Sequence, residues 1–156
     1  MAFTLRLATL DDIPKLVELR IEFIKEAHQN PFNVDLDNHR NLLTDYFQTQ
    51  MKDETFLAWI AEDENENIVA ISGLVIVSKV PQLWSPTGKE SYIFNMYTIP
   101  AWRRKGIGSA LLEKLLEESK ARGINHVDLH ASDLGKAVYE KYGFRPNKHY
   151  MSLWLK

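Results

Sequence analysis

The stretch Tyr92-Ile-Phe-Asn-Met-Tyr-Thr-Ile-Pro100-Ala-Trp-Arg103-Arg-Lys-Gly106-Ile-Gly108-Ser-Ala-Leu-Leu112 constrains the fold more than any other part of the chain. An apolar strand meets a proline stop, a basic glycine-rich turn follows, and a leucine-rich amphipathic helix begins at once. The first N–H groups of a helix lack intrahelical acceptors, and its dipole favours negative charge there. Gly106 and Gly108 let a phosphate approach the backbone, and Arg103, Arg104 and Lys105 add cations at the same mouth. A phosphate-bearing ligand is expected in this turn.

Two common phosphate sites do not fit. A P-loop closes on Gly-Lys-Ser/Thr, whereas Gly108 is followed directly by Ser109-Ala110. A dinucleotide fingerprint wants a third glycine, and Leu111 stands in its place.

Composition narrows the field further. The absence of cysteine rules out disulfides, thiolate metal sites and a cysteine nucleophile. A formal charge of −2 argues against a nucleic-acid binder. Arg6 and Asp11 interrupt the N-terminal segment, so no signal peptide is expected, and no apolar run is long enough to span a bilayer. These features point to one domain over residues 1–156, soluble and cytoplasmic, with no membrane partner. No dense carboxylate cluster joins the five histidines, so no metal is expected, and Gly-x-Ser-x-Gly is absent.

Periodicity predicts a strand over Phe3–Ala8 and a helix from Thr9 to about Ala27. A second helix follows over Asp37–Met51, then strands at Thr55–Ala61, Ile68–Val77 and Tyr92–Ile99. Next come a helix over Ile107–Arg122, a strand at Val127–His130, a short helix over Leu134–Tyr142, and closing strand material in Phe144–Leu155. The order is mixed, so an α+β sheet with helices on both faces is expected. On the third helix Ile107, Leu111 and Leu115 face the core, while Glu113, Glu117 and Glu118 read as its solvated side.

Arg103-x-x-Gly106-x-Gly108 after a strand resembles the acyl-CoA-binding motif of the GNAT N-acyltransferase superfamily. The opening Leu5-Arg-Leu-Ala-Thr-Leu-Asp-Asp-Ile-Pro-Lys-Leu-Val-Glu-Leu19 and the late Ala137-Val-Tyr139-Glu-Lys-Tyr-Gly143-Phe144 strengthen the likeness, which runs over essentially the whole chain. The resemblance implies a mostly antiparallel GNAT-like sheet whose central strands splay apart to admit the pantetheine arm of acetyl-CoA. It assigns backbone contacts to Met96, Tyr97 and Thr98, and diphosphate binding to Arg103, Arg104, Lys105, Gly106, Ile107, Gly108 and Ser109, with Arg103 or Lys105 free to reach a ribose phosphate. Tyr139 matches the tyrosine that protonates the departing thiolate. Seven residues earlier the family pattern has asparagine, where this chain has Ser132; Lys136 is a further candidate phosphate contact.

No general base stands out. Asn95 could hold a water chain, and Glu90 and His130 are alternatives. The resemblance frames the acceptor pocket with residues 23–46, 80–90 and 146–154, where Glu22, Glu26, Asp35 and Asp37 could anchor a cation and Phe32, Trp84 and Tyr150 form walls. The implied activity is acetyl transfer from acetyl-CoA to an amine of a small molecule or peptide in a ternary complex. A non-catalytic acyl-CoA-binding module is the alternative, and a homodimer is left open.

Overall fold

The computed structural model describes residues 1–155. β1 (Thr4–Leu7) leads through a 3-10 turn into α1 (Ile13–Glu26), and α2 (Leu36–Lys52) follows. The Thr9 N–H donates to Asp12 Oδ2 at 2.7 Å, and Asp35 Oδ1 accepts from the Asp37 N–H at 3.0 Å, so each helical entry is capped by a carboxylate. Next come β2 (Phe56–Leu57), β3 (Trp59–Glu62), β4 (Ile68–Ser78), β5 (Lys89–Thr98), α3 (Ile107–Ala121), β6 (Val127–Leu129) and α4 (Lys136–Lys141). The sheet order is β1-β3-β4-β5-β6, with β2 also on β4, and only the β5–β6 pair is parallel.

Helices cover both faces. Leu16, Val17 and Leu19 of α1 and Phe47 of α2 pack on Phe56, Ile60, Ile71 and Tyr97. On the other face, Ile107 and Leu111 of α3 meet Val69 and Ala70, while Leu112 and Leu115 meet Leu74 and Ile93. Each such side chain contributes about 1.5–3 kcal/mol by leaving water. Among the described residues, no helix is long and apolar enough to cross a membrane.

Two irregularities in the sheet shape the site. Ile71 pairs with Tyr97 but Gly73 with Phe94, so β5 carries one extra residue, and Asn95 within that bulge has φ 64°. Gly73 is required opposite it, because a Cβ there would lie 2.8 Å from the Phe56 ring. The second irregularity is the β5–β6 ladder, which ends after Ser91–Val127, Tyr92–Asp128 and Ile93–Leu129. Beyond Ile93 the strands part, and the splay expected of the central strands is present.

Three sequence expectations need correction. Thr55–Ala61 is interrupted at Ala58, whose carbonyl accepts from the Ala8 N–H at 2.9 Å instead. Phe144–Leu155 forms no strand among the described residues: β6 offers an edge of only three residues, and a turn at Lys148–His149 interrupts the segment. Glu113 and Glu118 are engaged rather than merely solvated: Tyr142 Oη donates to Glu113 at 2.6 Å and Trp59 Nε1 to Glu118 at 3.0 Å.

Candidate active site

At the start of α3 the turn places consecutive donors on view. Arg104 and Gly106 both adopt left-handed backbone, with φ 62° and 79°, which fans successive N–H groups outward. The amides of residues 104–109 donate to no acceptor among the described residues; the first to do so is Ala110, to the Gly106 carbonyl at 3.0 Å. A Cβ on Gly106 or Gly108 would meet nothing within 4 Å, so open space adjoins the bare amides. Arg104 and Lys105 are exposed beside it, and the Ile107 side chain is buried, leaving only its backbone to the site.

Arg103 departs from expectation. Its guanidinium is tied to Glu26 by contacts of 2.7 Å, and its Nε donates to the Thr98 carbonyl at 2.9 Å. The same carboxylate accepts from Tyr97 Oη at 3.0 Å. Arg103 therefore clamps the turn to the end of α1 rather than extending freely to a ribose phosphate.

From this turn a cleft runs along the gap where β5 leaves β6. One cavity of about 170 Å³ lies between Met96, Tyr97, Thr98, Gly108 and Gly135. A second, of about 250 Å³, is lined by Arg20, Phe23, Tyr92, Asn95, His130 and Ser132. Met96 and Tyr139 border both cavities. On the gap side, the β5 backbone beyond Ile93 has no strand partner and can pair with an extended ligand.

Tyr139 reaches this junction because α4 packs back onto the sheet. Its ring meets Phe144 edge-on at 5.8 Å, and Gly135 leaves room for it, since a Cβ there would stand 3.1 Å from the ring. Burial pushes the phenol above its ordinary value, so it stays protonated. Tyr142, one turn later, borders neither cavity, and its hydroxyl is held by Glu113. Ser132 Oγ accepts from the Gly135 N–H at 3.1 Å, which leaves its own proton available. Lys136 is exposed and lies 3.7 Å from Glu140.

Asn95 is 3% exposed, yet neither its Oδ1 nor its Nδ2 has a partner. Buried polar atoms are normally paired, so an orphaned amide bordering a cavity marks a ligand position. Glu90 borders neither cavity. It is held by Lys79 at 2.7 Å and His126 at 3.1 Å, and the Lys79 hydrogen bond lowers its pKa. His126 and Asp128 gather beside it, with the Lys79 ammonium already among them.

The acceptor side differs most from the sequence reading. Val80–Glu90 and Trp84 do not line the larger cavity, and neither does any carboxylate. One residue was missed. Arg20 faces this cavity, and its position between Val17 and Ile24 on the buried stripe of α1 was the available signal. His130 Nδ1 lies 2.5 Å from Tyr92 Oη, and its ring also meets Tyr150 at 5.5 Å.

The family model for the acetyltransferase (GNAT) family matches residues 21–144. The chain belongs to that family. This acetyltransferase is similar to a predicted acetyltransferase from Clostridium acetobutylicum crystallised with acetyl-CoA, at 34% identity and TM-score 0.89, covering 97% of this chain and 96% of that one. A GCN5-related N-acetyltransferase from Ralstonia eutropha JMP134 gives 25% identity and TM-score 0.86 over 98% and 99% of the two chains. A glucosamine 6-phosphate N-acetyltransferase of Trypanosoma brucei brucei is 33% identical over 88 residues, 56% of this chain and 58% of that protein. The match thus spans somewhat over half the length of this curated relative. The fold and the family agree on an N-acetyltransferase enzyme.

Proposed function

We propose that this enzyme takes acetyl-CoA as donor and passes the acetyl group directly to a small-molecule amine while both are bound. The observation that carries this reading is the pair of adjoining cavities, sharing Met96 and Tyr139, that lie between Gly108 beside the bare amides and the orphaned Asn95. Those features fit acetyl-CoA, and the Clostridium neighbour crystallised with it supports the same donor. The trypanosomal relative, a glucosamine 6-phosphate N-acetyltransferase, supports a small-molecule amine as acceptor.

Bound acetyl-CoA supplies an acyl group activated toward amines by its thioester. The amides of residues 104–109 grip the diphosphate, Arg104 and Lys105 balance its charge, and Arg103 holds the turn in place. The free side of β5 from Phe94 to Thr98 and the Ser132 hydroxyl orient the pantetheine arm. Asn95 supplies the fixed polar group closest to the bulge, where reorganisation is already complete.

Proton traffic falls to two residues. A lysine-like amine is protonated at neutral pH, and freeing it costs about 4–5 kcal/mol. His130, oriented by the Tyr92 hydroxyl, faces the acceptor cavity and takes that proton; imidazole is the side chain suited to the task. Tyr139 Oη delivers a proton to the departing sulfur. Burial raises the phenol, so its proton is in place at neutral pH for the thiolate that forms.

The test is Tyr139→Phe, assayed by free-thiol release together with coenzyme A titration. Turnover should fall about 100-fold while coenzyme A affinity stays within about twofold. Unchanged turnover would remove Tyr139 from the chemistry.

A further inference from the structure

We propose that the acceptor is an amine that also carries an anionic oxygen group, a carboxylate or a phosphate, gripped by the guanidinium of Arg20. This inference rests on the acetyl-transfer reading for the role of the cavity, but it concerns what the cavity recognises.

Arg20 is unlike the other arginines of the chain. Arg6, Arg40, Arg103 and Arg122 each pair with a carboxylate. Arg104 and Arg145 are exposed. Arg20 lies on the buried stripe of α1, has no carboxylate partner among the described residues, and its Nε is buried without an acceptor. Burial pulls its pKa down to about 10, so the cation is held against a desolvation cost. A leucine could fill this place without that cost.

Two aromatic rings hold the head group in place. The guanidinium carbon stands 4.3 Å from the centre of the Phe94 ring and 5.1 Å from that of Phe23. Stacking of this kind favours the plane of the fork while leaving its edge N–H groups free for a ligand. Arg20 lines the 250 Å³ cavity that Asn95, with its unpartnered amide, and the His130–Tyr92 pair also line. Arg20 and Asn95 are thus two unsatisfied polar groups bordering one space.

The acidic residues that would welcome a polycation are engaged elsewhere. Glu26 is bound by Arg103 and Tyr97, Glu22 pairs with Lys25, and Asp35 caps α2. A polyamine entering the cavity would meet a cation and no carboxylate. An amine bearing a carboxylate or phosphate would instead pair that group with the Arg20 fork and leave its nitrogen toward His130 and Asn95.

The test is calorimetric titration of the coenzyme A-loaded protein with amino acids and phosphorylated amino sugars. Each is compared with a counterpart that lacks the anionic group: lysinamide against lysine, glucosamine against glucosamine 6-phosphate. Spermidine serves as the polycation. The anionic member of at least one pair should bind about tenfold or more tightly than its counterpart. The phosphate and carboxylate arms show which anion is preferred. Arg20→Gln should abolish that preference by weakening the anionic member far more than its counterpart, and Arg20→Lys should restore part of it. In turnover, Arg20→Gln should raise KM for the anionic acceptor far more than it lowers kcat. Tightest binding of spermidine, no binding of any anionic amine, or equal affinity in wild type and Arg20→Gln would each overturn the assignment. Charge-selective binding without thiol release would leave Arg20 in its role and sink the acetyl-transfer reading instead.

Discussion

Arg103 and Glu26 meet fork to fork, with Nη1–Oε1 and Nη2–Oε2 both at 2.7 Å, and so join the glycine-rich turn before α3 to α1, whose Arg20 and Phe23 line the 250 Å³ cavity. The Arg103 hydrogen bond holds the Glu26 carboxyl below its usual range, and the same bond raises the guanidinium. Both side chains are about 40% exposed, so screening limits the pair to about 0.5 kcal/mol of stability. Its larger effect is positional. Glu26→Gln should lower the melting temperature by only about 1–2 °C. Coenzyme A affinity should fall by about 3–10-fold as the turn loses its anchor. Calorimetry and thermal melts on the same samples would separate the two effects.

Gly108 separates binding from folding. A Cβ there would meet nothing within 4 Å, and leucine outranks glycine in a helix by about 0.8 kcal/mol. Gly108→Leu should therefore melt at or above the wild-type temperature. The new side chain fills the space beside the bare amides, so coenzyme A affinity should fall by at least about tenfold. A destabilised variant, or one with unchanged affinity, would refute the placement of the diphosphate.

Asn95 combines a left-handed backbone with two buried, unpaired polar atoms. Glycine relieves both, so Asn95→Gly should gain about 1 kcal/mol in chemical denaturation. Turnover should drop by about tenfold or more if the amide orients a reactant. Gain of stability with loss of rate is the signature of a residue kept for function.

Acid should weaken the link between β1 and the start of α1. Arg6 binds Asp12 at 2.8 and 2.9 Å and reaches Glu62 at 2.5 Å, and its hydrogen bond lowers the Asp12 carboxyl pKa. A carboxyl whose folded pKa is depressed contributes stability above its ordinary value, and loses it as pH falls through the lower folded one. Asp12→Asn should cost about 1 kcal/mol at neutral pH. That deficit should shrink as pH drops below about 4, where wild-type Asp12 also takes up its proton. Urea melts across this range give the curve.

The legible parts of the molecule were those built from local periodicity. Leu16, Val17 and Ile24 announced α1, and Ile107, Leu111 and Leu115 announced α3, because a 3.6-residue repeat repeats its signal every turn. The glycine-rich turn was equally visible, since its backbone needs are written in residue type. The closing strand was not legible. Residues 144–155 hold Phe144 and an apolar-rich end from Tyr150 to Leu155, yet pairing depends on an edge that β6 barely provides.

The amino-acid order alone determined a strand, a basic turn and a helix whose first amides must face outward, since the helix has no acceptor for them at that end. It also determined that no thiol chemistry is available. Tertiary structure alone decided that Arg103 would be claimed by Glu26, 77 positions away, and that Arg20 would be buried with no carboxylate beside it. A side chain's charge is a property of its type, but whether that charge is already neutralised depends on which distant residue folding brings alongside.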